Sequence, residues 1–235
     1  MKNNQRIPWL RIGAESVAIV VSILLAFGIE AWWQRRSEIE QADTLVASLY
    51  TDFQTSQAEL QRALNEHQRY QLGAEQLLDT LASAELGAEI NVSMGSILGS
   101  ILAPTYSPTD SALELAFLSG QIDLIEDSEL RNLLASWRQL VPDTAEEQLE
   151  IGETASTRLI PEFSKQVRFG RSLNSNTMDN IGTRDEGSVR LRPTSEIEGA
   201  LAYRVFLGNF VVQELAELGD MQTEIIRRLE QRVRE

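Results

Sequence analysis

The stretch IEQADTLVASLYTDFQTSQAELQRALNEHQRYQLGAEQLLDTL, Ile39 to Leu81, decides the fold. Apolar or small residues recur in it at alternating steps of three and four. One seam position of the heptad holds Ile39, Val46, Phe53, Leu60, His67, Ala74 and Leu81; the other holds Ala42, Leu49, Ser56, Ala63, Tyr70 and Leu77. A strand would alternate every two residues, so this spacing belongs to a helix. No proline interrupts it, and Gly73 is its single glycine. The pattern predicts one helix of about 45 residues, on the order of 65 Å long. Alanine, serine and histidine sit among the large seam residues, which suits a packed antiparallel bundle better than a free two-stranded coiled coil.

Upstream, residues 12–33 read IGAESVAIVVSILLAFGIEAWW. The uninterrupted apolar part, Ser16 to Ile29, is short for a span. With its flanks the segment reaches about 22 residues, roughly 33 Å of helix, which matches a bilayer core. Trp9 on one side and Trp32 and Trp33 on the other stand where interfacial aromatic belts stand. The rival reading is a cleaved signal peptide, with Ala26 and Gly28 as the small residues before the cut. The heptads begin almost directly after the segment, which favours a signal anchor running unbroken into the first bundle helix. Lys2, Arg6, Arg11 and the amino group outweigh Arg35 and Arg36, which Glu38 and Glu40 follow, so the bias places the N-terminus inside.

These readings predict an all-α protein: one transmembrane helix continuing into a long-helix antiparallel bundle. Its parts are a cytoplasmic tail, 1–11; a transmembrane helix, 12–33; and an extracytoplasmic bundle, 37–235, with a long loop at 170–193. The expected location is a bacterial inner membrane, with the bulk of the chain periplasmic. Inside the span, Ala14, Ala18, Ser22 and Ala26 recur every four residues, a stripe that permits close helix packing. The bland reading is that such residues are common in membrane helices. Glu15 lies about one turn inside the span, where a carboxylate is costly. Arg11, four residues earlier, is its structural partner; the alternatives are a contact with a neighbouring protein or an ion pathway.

The run Ile12-Gly-Ala-Glu15, Ser22-Ile-Leu-Leu-Ala26, Ile29 and Trp32 resembles the anchor of an uncharacterised bacterial family of single-pass membrane proteins, I-G-E-x5-I-G-I-L-I-A-L-x-I-N-x-W. Here an alanine precedes the glutamate, serine replaces the second glycine, and Glu30 and Ala31 replace the asparagine pair. Ser111-Ala-Leu-Glu-Leu, Ser119-Gly120, Leu124-Ile125 and Glu129-Leu130-Arg131 are similar to a second block of that family. The resemblance covers about a quarter of the chain. It implies topology and helical content and no activity.

Downstream of Leu81 the period breaks at 84–107, which holds Gly87, Gly95, Gly99 and Pro104. Ser107-Pro108-Thr109-Asp110 reads as a helix start, with a serine cap and proline in first position. Ser119-Gly120 reads as its left-handed end. Asp127 caps the next helix, with Leu130, Leu133, Leu134, Trp137, Leu140 and Val141 on one face, and Pro142 is expected to end it. Asp143 with Glu146 starts another, kinked at Pro161. Residues 170–193 lack a period. There and just before, Arg168, Arg171, Arg190 and Arg192, with Lys165 and Arg184, form a basic island, a candidate contact for an anionic ligand or acidic partner; its bland reading is a solvated loop. Ser195 with Glu198 resembles a capping box for a last helix of about 40 residues through Ile197, Leu201, Val205, Val212, Leu215, Leu218, Ile225, Leu229 and Val233. Its end carries Arg227, Arg228, Arg232 and Arg234, candidates for lipid headgroup contact or simply for the negative end of a helix dipole.

The chain has net charge −14 over 235 residues. Residues 1–36 hold five of its 21 basic and two of its 35 acidic residues, leaving 16 against 33, a net −17, for the rest. So acidic a domain repels nucleic acid, which excludes that partner. No cysteine excludes disulfides and thiolate chemistry. His67, the single histidine, sits in the seam, where a satisfied buried imidazole is expected. No phosphate loop, nucleophile elbow or zinc-protease motif is present, so no catalytic residue, metal or cofactor is assigned. The leading expectation is an anchored interaction or scaffold protein, oligomeric or part of a membrane complex, with the bilayer and itself or another membrane protein as partners. The alternatives are a small-molecule-sensing bundle and an ion-pathway subunit built around Glu15. An 11-residue tail carries no output domain, so sensing needs a partner. A ligand site calls for convergent buried polar groups; a scaffold calls for an exposed apolar strip.

Overall fold

The computed structural model describes residues 9–172 and 187–233, without the side chains of 9–14, 16–18, 171 and 172. The chain is mostly helical. α1, Trp9–Ala82, is one unbroken 74-residue helix, so the segment around residues 19–33 and the heptads share a single rod. From Val46 to Leu81 every seam residue is buried. Ile39 is exposed, because little packs against α1 below that height.

The break after α1 is shorter than its glycines suggest. β1, Ile90–Ser93, leads into α2, Met94–Ile101, which the sequence reading missed. Ser93 caps α2, its Oγ accepting from the Gly95 N–H at 3.1 Å. Gly99 lies against Gly73 of α1: a Cβ on Gly99 would fall 3.0 Å from the Tyr70 carbonyl oxygen. The backbones meet there so closely that a side chain at either glycine would have to push them apart by a few tenths of an ångström. α3, Ser111–Ser119, starts three residues after the expected Pro108 position. Its first N–H groups find a cap on α1 instead of in Ser107, for Asp52 Oδ2 accepts from the Ala112 N–H at 3.0 Å. Gly120 then ends α3 in the left-handed conformation, φ 75°.

Asp127 caps α4, Ser128–Thr154, accepting from the Glu129 and Leu130 N–H groups. Pro142 does not end α4, contrary to expectation; the helix runs through it. A proline inside a helix costs about 3 kcal/mol. Here Leu130, Leu134 and Trp137 before it, and Thr144, Gln148 and Ile151 after it, are buried, while Pro142 faces solvent. Packing on both sides outweighs the lost hydrogen bond. The expected disturbance at Pro161 is present as a π-helical turn, Ala155–Leu159, ahead of α5, Ile160–Ser164. A wider turn gives the missing N–H and the ring room.

After the short α6, Phe169–Ser172, β2, Ser188–Leu191, pairs antiparallel with β1, with Ile90 opposite Leu191. The expected loop 170–193 is therefore part helix and part strand; residues 173–186 lie outside the described residues. The last helix, α7, Ser195–Val233, is capped by Thr194, whose Oγ1 accepts from the Ile197 N–H at 3.2 Å, so the expected Ser195 cap is displaced by one residue.

α7 is antiparallel to α1. Gln222 meets Phe53 and Arg204 meets Gln71, so an advance of 18 residues on α1 is a retreat of 18 on α7. Two apolar clusters flank the middle of this pair. One joins Leu45–Ala63 of α1 to α3, α4 and the last two-thirds of α7. The other joins Tyr70–Leu81 to α2, α5, both strands and the start of α7. Phe53 packs edge-to-face on Trp137 in the first, centroids 5.0 Å apart. Replacing Phe53 or Leu215 with alanine is expected to lower unfolding free energy by about 2–5 kcal/mol. Denaturant titration checks this; unchanged midpoints in both would refute the α1–α7 pairing.

Candidate functional site

Two places in the fold carry unusual chemistry. The first is a polar layer between the apolar clusters. Arg204 is 1% exposed, with Nη1 donating to Gln71 Oε1 at 2.5 Å and Nη2 to the Gly99 carbonyl at 3.2 Å. Gln71 in turn donates to Glu75 Oε1 at 2.8 Å and to the Val205 carbonyl at 3.0 Å. The buried charge thus reaches its nearest acid through an amide. Burial pulls the guanidinium down to about 10, so it stays charged at neutral pH. Gly208 makes room for this: a Cβ there would occupy the space that the Gln71 amide fills. Unpaired buried charge is costly; Nη1 and Nη2 each have an acceptor, and Nε has none.

His67 lies beside this layer, buried, with Nε2 2.8 Å from the Pro104 carbonyl. The imidazole is satisfied, as its seam position implied. On the other side Gln148 Oε1 accepts from the Tyr106 N–H at 2.7 Å. None of these groups opens onto a described cavity. Among the described residues, no group of three or more histidines and acids is placed to hold a metal ion. The layer orders the core.

The second place is the lower part of α1. Ile19, Val20, Val21, Ile23, Leu24, Leu25, Phe27, Ile29, Trp32 and Trp33 are all exposed, Leu24 by 64% and Trp33 by 62%. At 3.6 residues per turn these side chains point in every direction round the axis. A helix that is apolar all round belongs in a protein core or a bilayer, and nothing of this chain's described bundle covers it. Among the described residues no helix is long and apolar enough to cross a membrane. Most side chains in the first third of the expected span, residues 12–14 and 16–18 with Ala14 and Ala18, lie outside the described residues, as does that of Trp9. Glu15, Ser22 and Ala26 are exposed on the helix. Trp32 and Trp33 stack edge-to-face at 5.6 Å, with Arg36 over Trp32.

Around the exit of this segment the bundle forms a collar of grooves. One of about 510 Å³ lies between α1 and α3, bordered by Ser37, Gln41, Thr44, Ser48 and Leu115. Another of about 580 Å³ lies among Gln34, Glu38, Asp123, Glu126 and Arg232. Both are open to solvent.

The arginines singled out in the sequence are distributed differently. Arg190 and Arg192 both bind Glu89, at 3.1 and 3.3 Å, and hold its carboxyl below the usual range. They thereby tie β2 to the residue before β1. Arg168 also has a partner, and Arg171 and Arg184 lie outside the described residues. At the end of α7, Arg227 and Arg228 clamp Glu224 and hold it down to about 2. Arg228 reaches further, to Asp127 at 2.9 Å and to Glu129, so it ties α7 to the start of α4. Arg232 lies 3.7 Å from Glu126, and Arg234 is outside the described residues. No family model, curated protein or solved structure matches the chain.

His67 gives this region a pH signature. Burial, and secondarily the Arg204 charge, lower its pKa from 6.5 to about 4. The unfolded chain therefore takes up a proton that the folded chain refuses. This contribution to stability is complete above pH 6.5 and is lost as pH falls toward about 4, for a loss of roughly 3 kcal/mol at most. Denaturant titrations at neutral pH and near pH 4 are expected to show a larger drop for wild type than for His67→Gln. Equal drops would mean that the imidazole is protonated in place.

Proposed function

We propose that the chain is a single-pass membrane protein whose α1 enters the bilayer over residues 12–33, N-terminus inside, and whose bundle is an extracytoplasmic scaffold that assembles with itself or with another membrane protein. The observation that carries this is the all-round apolar exposure of α1 from Ile19 to Trp33. Those 15 residues span about 22 Å, less than a bilayer core, so residues 12–18 are needed to complete the crossing. The paired tryptophans and Arg35 and Arg36 mark its outer edge. The anchor's resemblance to the uncharacterised bacterial family accords with the same topology. A scaffold is favoured over a sensor because the collar grooves among the described residues are open to solvent. Headgroup contact by the α7 arginines has less support, since Arg227 and Arg228 already bind carboxylates within the chain.

Within the anchor the stripe of Ala18, Ser22 and Ala26 is the surface through which two such helices approach, because small side chains let backbones come close. Glu15 lies one turn before it on nearly the same face.

The full chain is expected to resist carbonate extraction from membranes, and a variant lacking residues 1–36 to be released. A periplasm-dependent reporter fused after Glu235 is expected to be active. Release of the full chain, or activity of a cytoplasm-only reporter, would overturn the topology. Ser22→Leu is expected to reduce native assembly in mild detergent while Ile23→Leu leaves it intact; assembly equal in both would remove the stripe from the account.

A further inference from the structure

The outer face of α7 carries a second seam. Tyr203, Phe206 and Phe210 stand at steps of three and four on the side away from the core, exposed by 39%, 56% and 43%. Phe206 and Phe210 pack edge-to-face on each other, centroids 4.8 Å apart. Asn209 and Gln213 beside them are also exposed. Between Gly199 and Gln213 the only charged residue is Arg204, and it points inward and is buried. Tyr203 is tied to α4 through Glu150, 3.3 Å from its hydroxyl, and Leu72 of α1 is exposed one residue from Gln71, which binds the Val205 carbonyl. The strip therefore lies on α7 and is tied at Tyr203 to α4.

We infer that this face is where two copies of the chain meet, α7 against α7, in a parallel two-fold contact through Tyr203, Phe206 and Phe210. Two observations choose the occupant. A chain of net charge −14 repels itself over most of its surface, and between Gly199 and Gln213 α7 brings no carboxylate of its own toward a second acidic copy, while the Glu150 carboxylate beside the strip accepts from the Tyr203 hydroxyl. Aromatic enrichment with charge depletion is also the composition of an interface centre. The second observation is geometric and rests on the anchoring proposed above. Copies anchored by α1 in one bilayer stand at equal height and point the same way, so each strip faces its own counterpart across an axis normal to the membrane. Such an isologous contact needs a self-complementary patch, and an uncharged aromatic seam is one. Steps of three and four also suit a short parallel helix pair.

The chain has no cysteine, so single cysteines report contacts without background. Full-length protein in phosphatidylcholine–phosphatidylglycerol vesicles carrying Gln213→Cys, which leaves the aromatics in place, is expected to form a homodimer under mild oxidation. Leu149→Cys, exposed elsewhere on α4, is expected to stay monomeric. Adding Phe206→Lys and Phe210→Lys should reduce the Gln213→Cys dimer at least about tenfold, as expected when charge replaces two aromatic anchors, with the thermal midpoint unchanged. No crosslink at Gln213→Cys while Ser22→Cys crosslinks would sink the α7 contact and leave the anchored scaffold standing. A crosslinked species of heteromeric mass would assign the face to another protein and overturn the inference. Loss of the chain from the vesicles on carbonate extraction would instead overturn the anchoring; a Gln213→Cys dimer that survived in solution would then support the α7 contact by itself.

Discussion

A glutamine on each long helix reaches across the α1–α7 seam to a backbone carbonyl of the other. Gln222 Nε2 donates to the Phe53 carbonyl at 2.9 Å and to Ser56 Oγ at 3.0 Å; Gln71 Nε2 donates to the Val205 carbonyl at 3.0 Å. Apolar heptads alone would accept a slide of one repeat, because leucine replaces leucine. Sliding would press both carboxamides against aliphatic side chains, at about 1–3 kcal/mol for each unsatisfied group. The two pairs sit about 27 Å apart along the seam, at 1.5 Å per residue. They act as two pins, and two pins fix both register and direction.

The rest of the bundle follows from that register. Arg204 is brought level with Gln71 and with Gly99, the residue whose missing Cβ lets α2 lie against α1. α2 then closes one end of the polar layer and β1 follows its placement, so β2 and the entry to α7 are set as well. At the other end Arg228 collects Asp127, Glu129 and Glu224, joining the last turns of α7 to the first turn of α4. Three of these partners are more than a third exposed, so the cluster adds little energy by itself. Its contribution is to orient α4 at the point where Asp127 already caps it.

The first helix was legible because its seam contains no strongly polar residue except His67, and its end was marked by turn glycines. α7 was legible as a helix and in its apolar buried positions Ile197, Leu201, Leu215, Leu218, Ile225 and Leu229, but not in the polar and glycine members of the same face. Its buried positions from Ile197 to Leu229 alternate by four and three without a break, yet three of them are Arg204, Gly208 and Gln222. Those residues look like surface on any hydrophobic scale, and only the partners on α1 explain them. Conversely Val205 and Val212, read as seam, are half-buried flanks, and Val233 is exposed. Pro142 and the 84–107 segment failed for one reason: local signals for stopping a helix were outweighed by burial that only the assembled bundle supplies. The small sheet had no legible pattern, since each strand has four residues and its partner lies about a hundred positions away. Of the site, the apolar run from Ile19 to Trp33 was plain in the sequence. The aromatic face of α7 was there too, at Tyr203, Phe206 and Phe210, hidden by the richer apolar pattern around it.

Between the apolar segment and the bundle α1 stands almost alone. The described part of α7 runs to Val233, Arg232 stands level with the turn after α3, and open grooves border residues 34–41. An isolated helix of that length is marginal in water. Three local contacts help it: Gln34 to Glu38, Ser37 to Gln41, and Arg36 to Glu40, each one turn apart and each exposed. Such contacts stabilise a helix by only about 0.2–0.5 kcal/mol each. No glycine or proline lies between Gly28 and Gly73, so the neck contains no built-in hinge. Its helicity therefore depends on being continuous at both ends with ordered helix. The bundle supplies one end through the buried seam from Val46 onward. The other end is the apolar segment below Trp33, and in water that segment has no packing to hold it. The bilayer of the proposed topology removes this weakness, because in hydrocarbon every backbone group of the span must bond within the helix. In that topology a neck ordered from both sides would fix the tilt and rotation of the bundle relative to the membrane, the condition that the proposed α7 contact requires.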